Sequence, residues 1–305
     1  MRIERTTIGS FPRGDKPLEA AIRDVVDLQL KYGIDVITDG EQRADMITYF
    51  EQIPGLSRGN RSLRVSGKIR PMDDSDDFYK IEDCHRVQSY LDSINRRDVK
   101  TKITLTGPVT LGMTSALGGL SNYKNVRDPQ LYEDCADALL PLASRALMIS
   151  DHLQIDEPGI SARFESPKYL ERLLSALPDD AVDGGRVSLH VCGSVDRVYE
   201  ELMSMSVNIF SFGFSRAQES KNIETISSRP LREGKRLGVG FISNTSLEDP
   251  DTALRRLKKI AGIVGRGNIA YIHPDCGFGS TTPELVEPIL VHMKEASDVF
   301  LRSNG

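Results

Sequence analysis

Short apolar and β-branched runs alternate with longer segments of helical period along the whole chain. Residues 3–8 read as a strand that stops at Gly9-Ser10-Phe11-Pro12. Over residues 18–32, Leu18, Ile22, Val25, Val26, Leu28 and Leu30 form an apolar stripe on a helix closed by Gly33. Residues 35–38 form the next strand, which runs into Asp39-Gly40-Glu41. Later strands are predicted over 103–106, 153–155, 187–189, 207–212, 237–242 and 269–272. The clearest helices are 128–150, 168–177, 195–203, 250–264 and 283–301. Alternating strands and helices imply a parallel sheet, and eight such units close as a (β/α)8 barrel of TIM type. A doubly wound open sheet is the second architecture; no Gly-rich dinucleotide turn follows the first strand.

Residues 51–100 break this rhythm. The stretch holds Arg58-Gly59-Asn60-Arg61 and a charged run over 73–77, with no clear strand–helix pair. It reads as an excursion between the second and third strands, a hairpin and a helix near the barrel mouth. No linker divides the chain, so residues 1–305 are expected to form a single domain.

Composition narrows the function. A length of 305 residues suits an α/β barrel, which needs about 250 or more. The net charge is −5 and the basic residues are scattered, which gives no support to nucleic-acid or anionic-membrane partners. No apolar run approaches the roughly 20 residues of a membrane span. The N-terminus lacks the apolar stretch of a secretion signal. The expectation is therefore a cytoplasmic protein with reduced thiols.

In a barrel the carboxyl ends of the strands converge on one face. That face gathers His190, Cys192, Cys276, Glu41, Asp156, Glu157 and the Gly9-Ser10 backbone. Residues two apart in an extended chain point the same way, so His190 and Cys192 can address one ion, with Cys276 joining from another strand end. This set suits zinc. The plainer reading is a core histidine and buried thiols. Cys84, Cys135, His85, His152 and His292 take that plainer reading. A sulfur-rich ligand set favours activation of a thiol as thiolate over hydrolysis. Glu41 and Asp156 suit a substrate ammonium, or else an ion pair with Arg43 or Arg163. Gly9-Ser10 offers backbone N–H groups to a carboxylate, or else is a simple turn.

Taken together, Thr6-Thr7-Ile8-Gly9-Ser10-Phe11-Pro12, Asp39-Gly40-Glu41, Leu105-Thr106-Gly107-Pro108-Val109-Thr110, Gln154-Ile155-Asp156-Glu157-Pro158, His190-Val191-Cys192 and Pro274-Asp275-Cys276-Gly277 resemble the catalytic half of cobalamin-independent methionine synthase. The motifs follow the family's order over nearly the whole chain. The resemblance implies a (β/α)8 barrel with zinc on His190, Cys192 and Cys276. It also implies homocysteine held by Ile8, Gly9 and Ser10 at its carboxylate and by Glu41 and Asp156 at its amine. The chain is too short for the second barrel of the long enzymes, so it resembles the short, single-barrel branch.

Three departures bear on the chemistry. The long enzymes stack the pterin of a folate donor on a Trp after the Gly-Pro-Val-Thr run, whereas this chain has no Trp. The family's fourth zinc ligand, a Glu one strand further on, corresponds here to Gly213, leaving water, Glu157 or Asp275 for that position. The catalytic His after the seventh strand is replaced by Ser243 or Asn244. The expected activity is a zinc-dependent S-methyltransferase that takes its methyl group from a methylcorrinoid, free or protein-bound, rather than from methyl-folate. Its acceptor is expected to be homocysteine, giving methionine. Alkylation of coenzyme M or another small thiol, and a non-catalytic zinc-binding barrel serving a partner protein, are the alternatives.

Overall fold

A computed structural model of the protein describes residues 2–60, 62–162, 167–216, 220–226 and 234–303. Arg163, offered by the sequence as an ion-pair partner, lies outside the described residues.

The chain starts with β1 (Glu4–Arg5), α1 (Leu18–Lys31) and β2 (Val36–Ile37). An excursion follows, with an antiparallel hairpin of β3 (Leu56–Arg58) and β4 (Leu63–Val65). Helix α2 (Tyr79–Ser93) returns the chain to β5 (Lys100–Thr106). Helices α3 (Pro108–Gly118) and α4 (Pro129–Ile149) lead to β6 (His152–Asp156). Short helices α5 (Pro158–Ser161), α6 (Lys168–Leu174) and α7 (Asp179–Asp183) precede β7 (Val187–Val191). Then come α8 (Tyr199–Met203), β8 (Ile209–Gly213), α9 (Asn222–Thr225) and β9 (Arg236–Ile242). Helix α10 (Pro250–Val264), β10 (Ile269–Pro274) and α11 (Pro283–Arg302) end the fold.

The barrel strands pair in parallel in the order β1-β10-β9-β8-β7-β6-β5-β2. A parallel bridge between Thr6 and Val36 joins β1 to β2 and closes the ring. The eight-stranded barrel expected from the sequence is therefore present. Sharp helix starts explain why α4 and α10 were readable. Asp128 and Asp249 cap them by accepting the backbone N–H groups of Gln130 and Thr252, and a proline occupies the first helical position of each. No helix among the described residues is long and apolar enough to cross a membrane.

Helix α2 lies within the stretch where the sequence showed no strand–helix pair. Its inner face buries Lys80 and Asp83 alongside Ile81, Cys84, Val87 and Leu91, so charges interrupt the apolar period. The hairpin packs on α3: Val65 N–H donates to Gly119 O at 2.8 Å and Ser121 N–H to Val65 O at 3.0 Å.

The strands divide the molecule into two cores. Ile103, Leu105, Leu153, Ile155, Leu189, Phe210, Phe212, Val239, Phe241 and Ile272 belong to one buried apolar cluster shared with the helices. The alternate positions are polar and hydrogen-bonded inside the barrel: Lys102 of β5 with Gln154 of β6 and Gln154 with Asp156, Thr104 of β5 with Glu41, and His190 of β7 with Ser211 of β8 and Ser211 with His273 of β10. Many barrels fill this space with Val, Ile and Leu. Here it is a buried polar column.

Candidate active site

Strand β7 carries His190 at its carboxyl end, and Cys192 follows one residue beyond the strand. Cys276 arrives from the loop after β10. The sulfurs of Cys192 and Cys276 come together there, with the Cα atoms 6.4 Å apart. As thiolates the pair offers two metal ligands. The ligand atoms of His190, Cys192 and Cys276 all lie within 4.8 Å of one another.

Hydrogen bonds dictate which nitrogen of His190 faces this pair. His273 Nδ1 lies 2.7 Å from Pro274 O, an acceptor only, so Nδ1 carries the proton. His273 Nε2 must then accept, and Ser211 Oγ donates to it at 2.8 Å. With its proton committed, Ser211 Oγ accepts from His190 Nδ1 at 2.9 Å. His190 Nε2 is left as a bare lone pair, 2.9 Å from Cys192 Sγ. Burial drives His190 well below the usual histidine range, helped by the neighbouring His273. Burial also takes His273 down to about 4, against the pull of the Pro274 and Gly238 carbonyls. Both imidazoles are therefore neutral near pH 7. A cation is what two facing lone pairs lack, so the donor set fits a metal. Gly238 makes this chain possible, because a Cβ there would stand 3.0 Å from both His273 Nε2 and Ser211 Cβ.

The structure removes two of the fourth-ligand options. Glu157 is fully buried and accepts from Val109 N, Thr110 N and Thr110 Oγ1 at 2.7, 3.0 and 2.7 Å, fixing the start of α3. Burial raises it to about 7. Asp275 accepts the backbone N–H groups of Phe214, Ser215 and Arg216, so it holds the loop after Gly213. At the end of β9, Asn244 Nδ2 donates to Gly277 O at 2.7 Å and steadies the Cys276 loop. Its Oδ1 is buried with no partner among the described residues.

Across the barrel lie the carboxylates. Gly40 and Glu41 both adopt left-handed backbone, at φ 72° and 54°. At Gly40 a Cβ would stand 2.6 Å from Val25 Cγ1, so only glycine fits. Glu41 bears the cost of that conformation, about 1–2 kcal/mol for a residue with a side chain. The turn aims Glu41 inward, where Oε1 accepts from Lys80 Nζ at 2.8 Å and Thr104 Oγ1 at 3.1 Å. The ion pair is thus made with Lys80. Arg43 instead binds Asp83 and Glu82 at 2.7 and 2.8 Å. Lys80 Nζ stands over the Tyr49 ring, 4.1 Å from its centre. Burial pushes Lys80 down, but the carboxylates of Asp39, Glu41 and Asp156 outweigh it and the pKa is raised.

Asp156 Oδ1 accepts from Gln154 Nε2 at 2.6 Å. Burial, and next the charge of Glu41, raise the Asp156 pKa. Asp39, Glu41, Asp156, Lys80 and Lys102 are all buried, and burial lowers Lys102 to about 7. The turn at Ser10 adjoins the Cys276 loop: Phe278 N–H donates to Ser10 O at 2.7 Å and Gly279 N–H to Ser10 Oγ at 3.2 Å.

Sequence reasoning missed Lys80, Lys102, Ser211 and His273. Lys102 lies two residues before Thr104 on the inward register of its strand, a signal the two-residue period carries. Lys80 had no such signal.

Comparison with known proteins places this architecture. The family described as cobalamin-independent synthase, catalytic domain, matches residues 3–299. A methionine synthase of Methanothermobacter marburgensis is 30% identical, across 96% of this chain and 92% of the relative. The 5-methyltetrahydropteroyltriglutamate–homocysteine methyltransferase of Shewanella oneidensis is 27% identical across 98% of this chain but 43% of its own length. In fold, the chain superimposes on a B12-independent methionine synthase from a Shewanella species in complex with selenomethionine. The TM-score is 0.74 at 18% identity, over 99% of this chain and 98% of the other. The chain therefore belongs to the cobalamin-independent synthase family, catalytic domain, and is a methyltransferase.

Proposed function

We propose that the protein transfers a methyl group to the thiol of homocysteine, giving methionine, with zinc held by reduced Cys192, reduced Cys276 and His190. The observation that carries this reading is the convergence of those three ligand atoms within 4.8 Å of one another. Zinc bound there would favour the thiolate form of a substrate thiol at neutral pH. His190 presents its unprotonated Nε2 to the site, an orientation set by the Ser211–His273 chain. Glu157 and Asp275 are engaged elsewhere, which leaves the remaining position to the substrate sulfur.

The opposite wall suits an amino acid. Glu41 and Asp156 are buried carboxyl groups able to face one ammonium group, whose arrival would offset the burial and the Glu41 charge that raise the Asp156 pKa. The Gly9 and Ser10 N–H groups are the donors for its carboxylate. Coenzyme M has no ammonium group to meet these carboxyls, and its sulfonate is disfavoured beside them. In the reaction, the thiol would lose its proton to solvent on binding, the sulfur would form the new S–C bond, and the donor would leave with the electron pair of the bond that breaks.

For the donor we propose a methylcorrinoid. The chain has no Trp to stack a pterin. A folate nitrogen must be protonated as it leaves, yet Asn244 stands at the end of β9 and is bonded to Gly277 O. A corrinoid cobalt leaves without needing a proton.

The test uses reduced, zinc-loaded protein with homocysteine and either methylcobalamin or methyl-folate. Methionine is expected from methylcobalamin alone. Cys192→Ser is expected to weaken zinc binding by more than about 100-fold and bring the rate to background. Retention of stoichiometric zinc and of the rate by Cys192→Ser overturns the metal assignment. Turnover with methyl-folate overturns the donor assignment.

A further inference from the structure

Gln154 sits in the middle of the polar column, and its amide orientation is fully determined. Ile8 O is an acceptor only, so the end of the amide facing it must be the NH2 group, and the end 2.7 Å from Lys102 Nζ is the oxygen, Oε1. The NH2 end then faces two acceptors, Ile8 O at 2.8 Å and Asp156 Oδ1 at 2.6 Å. Both of its protons are used. Asp156 Oδ2 has no hydrogen-bond partner among the described residues.

The contact with Ile8 reaches further than one carbonyl. In a trans peptide the C=O and the following N–H lie in one plane and point opposite ways. Gripping Ile8 O therefore aims the Gly9 N–H. The neighbouring carbonyls are held in the same manner. Lys102 Nζ donates to Thr7 O at 2.6 Å and Thr38 Oγ1 to Gly9 O at 3.0 Å. Three successive peptide planes are thus fixed from behind, and Gln154 holds the middle one.

We propose that Gln154, held by Lys102 and the Ile8 carbonyl, is the positioning residue that couples the two ends of the amino-acid site. One amide sets both the Gly9 N–H that meets a substrate carboxylate and the Asp156 oxygen that meets its ammonium. This rests on the homocysteine reading above.

Binding of thiols to reduced, zinc-loaded protein tests it by calorimetry, without any methyl donor. Three probes separate the ends: L-homocysteine, 4-sulfanylbutanoate, which lacks the amine, and 3-sulfanylpropan-1-amine, which lacks the carboxylate. Wild type is expected to prefer homocysteine over each truncated thiol by about 100-fold, because each leaves buried polar groups unpaired. Gln154→Met, which keeps the volume, is expected to shrink both preferences together to about tenfold or less, with zinc content unchanged. A merely structural role would weaken all three thiols alike and leave the ratios as they were. Lys102→Met keeps the amide and removes the amine that meets its oxygen, together with the bond to Thr7 O. It is expected to reduce both ratios in the same direction, and it serves as the deciding variant if Gln154→Met does not fold. Unchanged ratios in a folded variant, or loss of one preference alone, overturn the proposal. Wild type that shows no preference for homocysteine overturns the homocysteine reading instead.

Discussion

Strands β7, β8 and β10 bring neutral groups to the barrel mouth, whereas the chain after β2, with α2, β5 and β6, brings charged ones. On the thiol side, burial keeps His190 and His273 unprotonated, and no carboxylate among the described residues answers them. On the amine side Glu41 meets Lys80 at 2.8 Å in a setting just as buried. Burial alone favours the neutral form of every titratable group. What separates the sides is whether a counter-charge is supplied within reach. Each side nevertheless uses the same device to set geometry, a chain of hydrogen bonds ending on a group that has only one role. On one side that group is the Pro274 carbonyl, which can only accept. On the other it is the Ile8 carbonyl, which likewise can only accept. Fixed ends leave the intervening side chains no freedom to flip.

The comparison breaks most visibly at Lys80. Its side chain is 2% exposed and that of Glu41 8%. Lys80→Met removes the cation and strands its carboxylate partners. Leaving a buried charge unpaired costs about 3–5 kcal/mol. Urea unfolding should show a loss of that size. The double variant Lys80→Met with Glu41→Gln should recover most of it, because neither charge is then left alone. A loss below about 1 kcal/mol for Lys80→Met would mean that water already screens the pair. On the thiol side, substitutions among neutral groups should cost far less stability.

The asymmetry also explains what the sequence disclosed. His190, Cys192 and Cys276 stand at strand ends in runs that are apolar up to the ligand, so both the strand and the ligand were readable. Glu41 and Asp156 were readable for the same reason, but their partners were not. Lys80 sits on α2, whose buried face includes two charged residues, and a helix is recognised from sequence by its apolar stripe. The charge that completes the site is the feature that kept the position of the expected helix from being read. Ser211 and His273 escaped for another reason. Their roles depend on a contact across three strands, and strand register is set by the closed barrel rather than by any local pattern.

Beneath both sides lies His152, with Nδ1 accepting from Tyr271 OH at 2.8 Å. The Glu4 carboxylate is 3.9 Å from Nε2, too far to stabilise the charged, doubly protonated ring against burial. Burial and the nearby Lys100 and Lys102 charges lower His152 from 6.5 to about 4. Between those values the unfolded chain takes up a proton that the folded protein refuses. Stability is thus greatest above pH 6.5 and is lost as the pH falls towards 4. From this residue alone the loss between pH 7 and pH 5 is about 2 kcal/mol. Urea unfolding at the two pH values should show it, and His152→Asn should remove that share of the difference. An unchanged pH dependence in the variant would assign the acid sensitivity to other groups.

The smallest expected effect sharpens the thiol side. His273 is not a ligand in this reading. It acts on His190 through Ser211, at 2.8 and 2.9 Å. His273→Phe keeps the ring volume and removes the acceptor that commits the Ser211 proton. Ser211 can then donate to His190 Nδ1, and the tautomer with the proton on Nε2 becomes accessible. Partners behind a metal-bound histidine contribute about 10–100-fold in metal affinity. An indirect partner such as His273 should lie near the lower end, about tenfold. Competition with a chelator measures this without any turnover. Ser211→Ala removes the direct partner and should cost at least as much, while the two changes together should cost no more than Ser211→Ala alone. That non-additivity separates a hydrogen-bonded chain from two independent packing contacts, which would add. If His273→Phe binds zinc as tightly as wild type, the Pro274 carbonyl has no hold on His190, and the neutral side of the barrel owes its metal geometry to the strand ends alone.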